Sequence, residues 1–390
     1  MLRPVVDVDS ILAPWWDRLQ AVYGELPLYD AHTHVGQDDP DGVKQTPDEL
    51  LAKLARVDAR AVVFPMHEPA GYPPANDRVL EAAAGSDGRL VAYCRVDPHD
   101  NAVEEARRCL DAGARGIKLH PRAERFTLSA PAIPELVALA HERRLPVLIH
   151  AGRGIPALGR DTVRLSGEFP EARLILAHAA ISDLAWLWRV LPDHPNLLID
   201  TAWWDPADMM AMFTLVPPGN IVWASDCPYG LPLTSAVMHL RLAAQAGLDT
   251  EALRSIAGGQ MQRVLAGEDP LDLGPAPGNA RPIDPLLERV ISHTCQAIAR
   301  MFVRADPSEA VALAKLACGV GEASERADVF AAVLELLELY EEHITPVPEG
   351  QRIHPAGRLL VAAASFARSP DVPIPDLPGA PPPTREEAEH

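Results

Sequence analysis

The stretch LPLYDAHTHVG, Leu26–Gly36, sets an acid and two histidines at alternate positions at the end of a short apolar run. In a β-strand, residues two apart share a face. Asp30, His32 and His34 are therefore expected on one side, with Ala31 and Thr33 on the other. A His-x-His pair decides little alone. Its meaning depends on what other apolar runs carry at their ends.

Such runs recur along the chain: LYDAHTH, RAVVFPM, LVAYCRV, ARGIKLH, PVLIHAG, RLILAHA, NLLIDTA and NIVWASD, eight in all. They start roughly every 25–35 residues, the length a βα unit needs. Helix signals fill the gaps. In TPDELLAKLARV, Thr46 is an N-cap, Pro47 takes the first helical position and Glu49 completes a capping box. NAVEEARRCLDAG starts at Asp100 or Asn101 and stops at Gly113. IPELVALAHERR, PADMMAMFTLV and TSAVMHLRLAAQAG are further helical stretches. Eight βα units predict an α/β fold, a (β/α)8 TIM barrel over residues 1–275. An open doubly wound sheet also alternates strand and helix, but no glycine-rich dinucleotide fingerprint follows the first strand.

Past this point the pattern changes. PLLERVISHTCQAIARMFV, DPSEAVALAKLACG, ERADVFAAVLELLELYEEHI and HPAGRLLVAAASFAR read as helices, so residues 276–368 are expected to form an all-helical appendage. It is expected to cover the barrel mouth, to form a homodimer interface, or both. Residues 369–390 are proline-rich and charged and are expected to be a disordered tail. A net charge of −19, with 54 acidic against 35 basic residues, excludes nucleic acid and anionic membrane as main partners. A small-molecule substrate is left. Five cysteines without CxxC pairing argue against a disulfide framework and for a cytoplasmic setting. Neither a secretory signal nor a bilayer-spanning run is expected.

The ends of the runs carry the chemistry. GIKLHP closes on Lys118 and His120, PVLIHAG on His150, RLILAHAA on His178 and IVWASDCPYG on Asp226. In a barrel these ends open into one mouth. Imidazoles with one or two carboxylates suit a divalent transition metal, zinc first, with manganese or iron as alternatives. Such an ion acidifies water to a pKa of about 7 and polarises carbonyl oxygens.

The DAHTHVG, GIKLHP, LAHA and SDCPYG stretches together resemble the metal-dependent amidohydrolase superfamily. They are most similar to the amidohydrolase-related branch that includes aminocarboxymuconate semialdehyde decarboxylase. The resemblance spans roughly the first 275 residues and implies that His32, His34, His150 and Asp226 are metal ligands. It implies an acid, base or orienting role for His178, and one ion rather than two. Lys118 stands on the strand that bears a carboxylated bridging lysine in binuclear relatives; the other readings are a substrate-binding cation and a barrel lysine simply paired with Asp226 or Asp30. Where the family often has Phe-Gly before the last strand's Ser-Asp and an aromatic after it, this chain has Trp223, Ala224 and Cys227.

Asp30 is expected to orient a ligand histidine. His120, Arg153, Trp203 and Tyr229 are candidates for substrate contact, Arg153 as a grip on a carboxylate. His67 and Glu68 are weaker rim candidates. His293, His343 and His354 are expected at the surface. The leading functional expectation is hydrolysis of a small amide, lactone or related ester by metal-activated water, with His178, Asp226 and Lys118 as catalytic groups. The alternative is non-oxidative decarboxylation of a small aromatic or unsaturated acid. A barrel kept only as a scaffold is the third reading.

Overall fold

The computed structural model describes residues 6–278, 283–321, 324–345, 347 and 354–375. Its strands are β1 (Tyr29–Val35), β2 (Arg60–Pro65), β3 (Leu90–Ala92), β4 (Cys94–Arg95), β5 (Ile117–Leu119), β6 (Pro146–Ile149), β7 (Arg173–Leu176), β8 (Leu197–Asp200) and β9 (Ile221–Val222). Every pairing is parallel, in the orders β1-β2-β3 and β4-β5-β6-β7-β8-β9. β3 and β4 are halves of one barrel strand that changes neighbour at Tyr93. The Tyr93 amide donates to Val63 O at 2.9 Å, and the Cys94 amide to Gly116 O at 3.0 Å. The Tyr93 ring lies where a Cβ on Gly116 would stand, 2.7 Å away, which is why residue 116 has no side chain. The ring of strands closes between the last and the first: Ala31 N donates to Trp223 O at 3.0 Å and His34 N to Cys227 O at 2.8 Å. This is a TIM barrel, and all eight apolar runs are its strands.

Alternation divides the apolar residues as a barrel requires. Val62, Phe64, Tyr93, Leu148, Ile175, Leu198 and Val222 pack inside with Met261 and Val264, while Ala61, Val63, Val147, Leu174 and Leu197 face the outer helices. The capping box at Thr46 and Glu49 is formed and opens helix Pro47–Ala55.

One expectation about β1 fails. A bulge between Asp30 and Thr33 inserts an extra residue, so Asp30 pairs with outward Ala61 whereas His34 pairs with inward Phe64. Asp30 thus points away from the two histidines.

An N-terminal helix, Val8–Tyr23, and helices Pro285–Phe302, Ser308–Ala317, Ala327–His343 and Gly357–Arg368 add to the barrel. Residues 369–375, placed with the tail by composition, run along the barrel with Ser369 and Val372 buried; residues 376–390 lie outside the described residues. His354 is buried rather than at the surface. Its Nδ1 accepts from Ala356 N at 3.1 Å beside the start of helix Gly357–Arg368, and its Nε2 meets Thr345 Oγ1 at 2.9 Å. Among the described residues no helix is long and apolar enough to cross a membrane.

Candidate active site

His32, His34 and Asp226 converge at the C-terminal end of the barrel. His32 Nε2 lies 3.2 Å from His34 Nε2, His34 Nε2 3.1 Å from Asp226 Oδ1, and His32 Nε2 3.2 Å from Asp226 Oδ1. The sides of this triangle match the spacing of neighbouring ligands that share an ion about 2.0–2.1 Å away. Among the described residues these three form the one group of histidine, cysteine or acidic side chains with donor atoms close enough to hold a metal.

The hydrogen bonds behind the triangle select the tautomers. His32 Nδ1 is 2.8 Å from Asp200 Oδ2, so Nδ1–H donates to the carboxylate and Nε2 keeps its lone pair for the triangle. The other Asp200 oxygen accepts from His178 N at 2.8 Å and Ala202 N at 2.9 Å. One buried carboxylate therefore sets the His32 ring and the backbone of His178. His178, Ala179 and Ala180 pass in succession through left-handed φ of +58°, +54° and +49°, a costly conformation for residues with a Cβ. Asp30 acts similarly at β1: Oδ1 accepts from His32 N at 3.1 Å and Ser225 N at 3.0 Å, tying the first strand to the turn that carries Asp226.

His178 Nδ1 lies 2.7 Å from Ala202 O, so it carries the proton and Nε2 is an acceptor. His150 Nδ1, 2.9 Å away, must then donate to it, which leaves a lone pair on His150 Nε2. That atom is buried and has no partner, and only the missing Cβ of Gly152 leaves it room. His150, expected among the ligands, thus stands outside the triangle because its ring is turned to His178. Its face stacks on His120 at 3.8 Å.

Lys118, wholly buried, places Nζ 3.2 Å from His32 Nε2 and 4.7 Å from the Phe64 ring centre. Burial, then the nearby Arg95 guanidinium, pulls its pKa down to about 7. Burial raises Asp200 to about 7 and Asp226 to about 6. It also pushes His32, His34, His150 and His178 below the usual imidazole range. The imidazoles are thus neutral and the lone pairs available near neutral pH, the state a divalent ion requires.

Tyr229 sets its ring edge-on to His34 at 5.5 Å and donates to Asp39 Oδ2 at 2.9 Å. Trp203 approaches His178 at 6.4 Å with its indole N–H on Asp208. Arg153 is exposed in the loop after β6, apart from this cluster. The arginine that does reach the mouth is Arg95, unnamed by the sequence reading. It is paired in register with Lys118, buried, and bonded to Glu124 Oε1 at 2.7 Å. Beside it lies a cleft of about 310 Å³ lined by His67, Glu68, Tyr72, Asp97, Glu124 and Arg125. Asp200 also escaped the sequence reading. Its signal was the one used for the others, a charged residue closing the apolar run NLLID.

The barrel recurs in solved structures. They include an uncharacterized TIM-barrel protein from Bordetella bronchiseptica, at 15% identity and TM-score 0.50 over 62% of this chain and 99% of that one. IDCase from Metarhizium anisopliae aligns at 12% identity and TM-score 0.50 over 63% of this chain and 98% of its own. An amidohydrolase from Burkholderia multivorans with bound zinc aligns at 13% identity and TM-score 0.48, over 62% and 99%. No curated protein matches the chain. The sequence profile described as Amidohydrolase matches residues 29–260, from the first tyrosine of β1 to the helix that closes the barrel floor, and the chain belongs to that family of enzymes.

Proposed function

We propose that this protein is a metal-dependent hydrolase of a small carbonyl compound, an amide, lactone or related ester. The observation that carries the reading is the His32–His34–Asp226 triangle, with the His32 tautomer preset by Asp200. A divalent ion, zinc first with manganese or iron as alternatives, supplies an acidified water and a Lewis acid when bound by these three residues. Asp226 would hold the ion together with His32 and His34, and its carboxylate, with a pKa raised by burial, would serve as the base that takes a proton from water. His178 and His150 form a hydrogen-bonded pair beside it that would orient the substrate, and the proton taken up by Asp226 would pass on to the leaving group. The Lys118 ammonium stabilises negative charge that develops on the carbonyl oxygen. Trp203 and Tyr229 wall the mouth.

A second reading, non-oxidative decarboxylation of a small aromatic or unsaturated acid, has one observation in its favour. Arg95 and Lys118 occupy paired positions on neighbouring strands and together offer two cations to a carboxylate. The test is turnover by zinc- or manganese-loaded protein in oxygen-18 water, with lactones, amides and esters set against aromatic and unsaturated acids. Hydrolysis predicts label in the product acid. Release of carbon dioxide with no such label would overturn it in favour of the second reading, and no turnover by fully loaded protein would sink both.

A further inference from the structure

Helix Pro232–Gln245 follows the turn that carries Asp226, and 13 of its 14 residues are buried. The outer helix of a barrel ordinarily leaves one face to water. Here the N-terminal helix Val8–Tyr23 and the C-terminal helix Gly357–Arg368 cover that face. Trp15 stacks on Phe366 at 3.9 Å, and the Arg241 guanidinium lies 5.0 Å from both rings. Arg241 donates to the carbonyls of Ser369, Val372 and Pro373, which fastens the far end of helix Pro232–Gln245.

The near end is fastened by Arg358. Its Nη2 donates to Tyr229 O at 3.1 Å and Pro228 O at 3.4 Å. Both carbonyls belong to the turn Asp226–Gly230, which Gly230 N closes on Asp226 O at 3.1 Å. The turn is tight: a Cβ on Gly230 would stand 2.0 Å from Ser225 O. Asp226 itself sits at φ +58°, where a side-chain-bearing residue persists only if its surroundings hold it. Arg358 is one such hold, and it comes from beyond residue 260, where the family profile ends.

We infer that Arg358 is a positioning residue for the metal centre, through which the C-terminal helices aim the Asp226 carboxylate. The inference rests on reading Asp226 as a metal ligand. The experiment measures zinc affinity of the full-length protein by competition with a chromophoric chelator, together with thermal unfolding of the metal-free form. Arg358→Met is expected to weaken zinc binding about tenfold, with partial recovery in Arg358→Lys. Arg241→Met, which loosens the other end of the same helix, is expected to lower the melting temperature while the folded protein keeps its zinc affinity. Wild-type affinity in Arg358→Met, or an equal loss in Arg241→Met, would overturn the inference. Should Arg358→Met fail to fold, Arg358→Lys carries the test, with a smaller loss of the same sign expected and wild-type affinity overturning it. Asp226→Asn is measured alongside: unchanged zinc affinity there would overturn the ligand reading itself.

Discussion

Arg241, between the barrel and the C-terminal helices, and Lys118, in the barrel mouth, are both wholly buried cations, yet the chain surrounds them differently. Arg241 has three backbone carbonyls and two aromatic faces, with Nε alone lacking a partner. Lys118 has one imidazole nitrogen and the face of Phe64, while burial lowers the pKa of both cations, Lys118 to about 7 and Arg241 to about 9. Its neighbourhood also leaves Glu124 Oε2 and His150 Nε2 buried without partners. Each such atom costs about 1–3 kcal/mol. The seam keeps such atoms too, Arg241 Nε, Arg368 Nε and His239 Nδ1. What separates the two regions is therefore how each cation is bonded: three carbonyls and two aromatic faces at the seam, one imidazole nitrogen and one ring in the mouth. The seam ties two layers together, and the mouth brings its cation to the His32–His34–Asp226 triangle.

That contrast breaks if variants in the two regions behave alike. The largest effect is expected at the triangle. His32→Ala or Asp226→Ala should remove both activity and bound zinc, while the metal-free protein still folds and melts cooperatively. Metal content by mass spectrometry and a thermal melt check this; full zinc occupancy in either variant would dismantle the site. At the seam the signs reverse. Phe366→Ala removes the ring stacked on Trp15 and should cost about 3–5 kcal/mol in chemical unfolding. Its folded fraction should bind zinc as wild type does. Asp200→Asn sharpens the contrast from within the mouth: the amide cannot accept two backbone N–H groups and also hold His32 Nδ1–H as a carboxylate does. Zinc affinity should fall about 10–100-fold in a chelator competition with little change in stability. An unchanged affinity would mean that the His32 ring is set by something else.

The barrel was legible because its signal is periodic. Eight apolar runs at βα spacing outweigh any local ambiguity, and Thr46, Pro47 and Glu49 mark a helix start by side-chain chemistry alone. The site was legible as far as it consists of polar residues closing those runs. What escaped depends on contacts between distant segments. The β1 bulge that turns Asp30 away is a matter of pairing with β2. Arg95 lies inside an apolar run, where a charge reads as an edge residue, and only burial against Tyr72 and Glu124 shows its place. The His150 ring is turned by His178, 28 residues later. Residues 369–375 have a tail's composition, but Arg241 binds their carbonyls, which no composition reveals.

His239 joins the two regions and gives the smallest expected effect. It lies on helix Pro232–Gln245, is 3% exposed, and has Nε2 3.0 Å from the carbonyl of Trp203, whose ring lies 6.4 Å from that of His178. Nε2 therefore carries the proton, and Nδ1 has no partner. Burial lowers its pKa from 6.5 to about 4. Between those values the unfolded chain binds more protons than the folded one, so folding stability rises with pH across the window. Its contribution is complete above about 6.5 and lost as pH falls towards 4. Metal-free wild type should therefore lose stability on acidification more steeply than His239→Gln, while the two differ least at neutral pH. Chemical unfolding at steps from pH 7 to pH 4 isolates His239, because the buried histidines of the mouth titrate alike in both proteins. Parallel curves would mean that His239 takes up its proton as readily folded as unfolded, and its bond to Trp203 would then not be part of what ties the seam to the mouth.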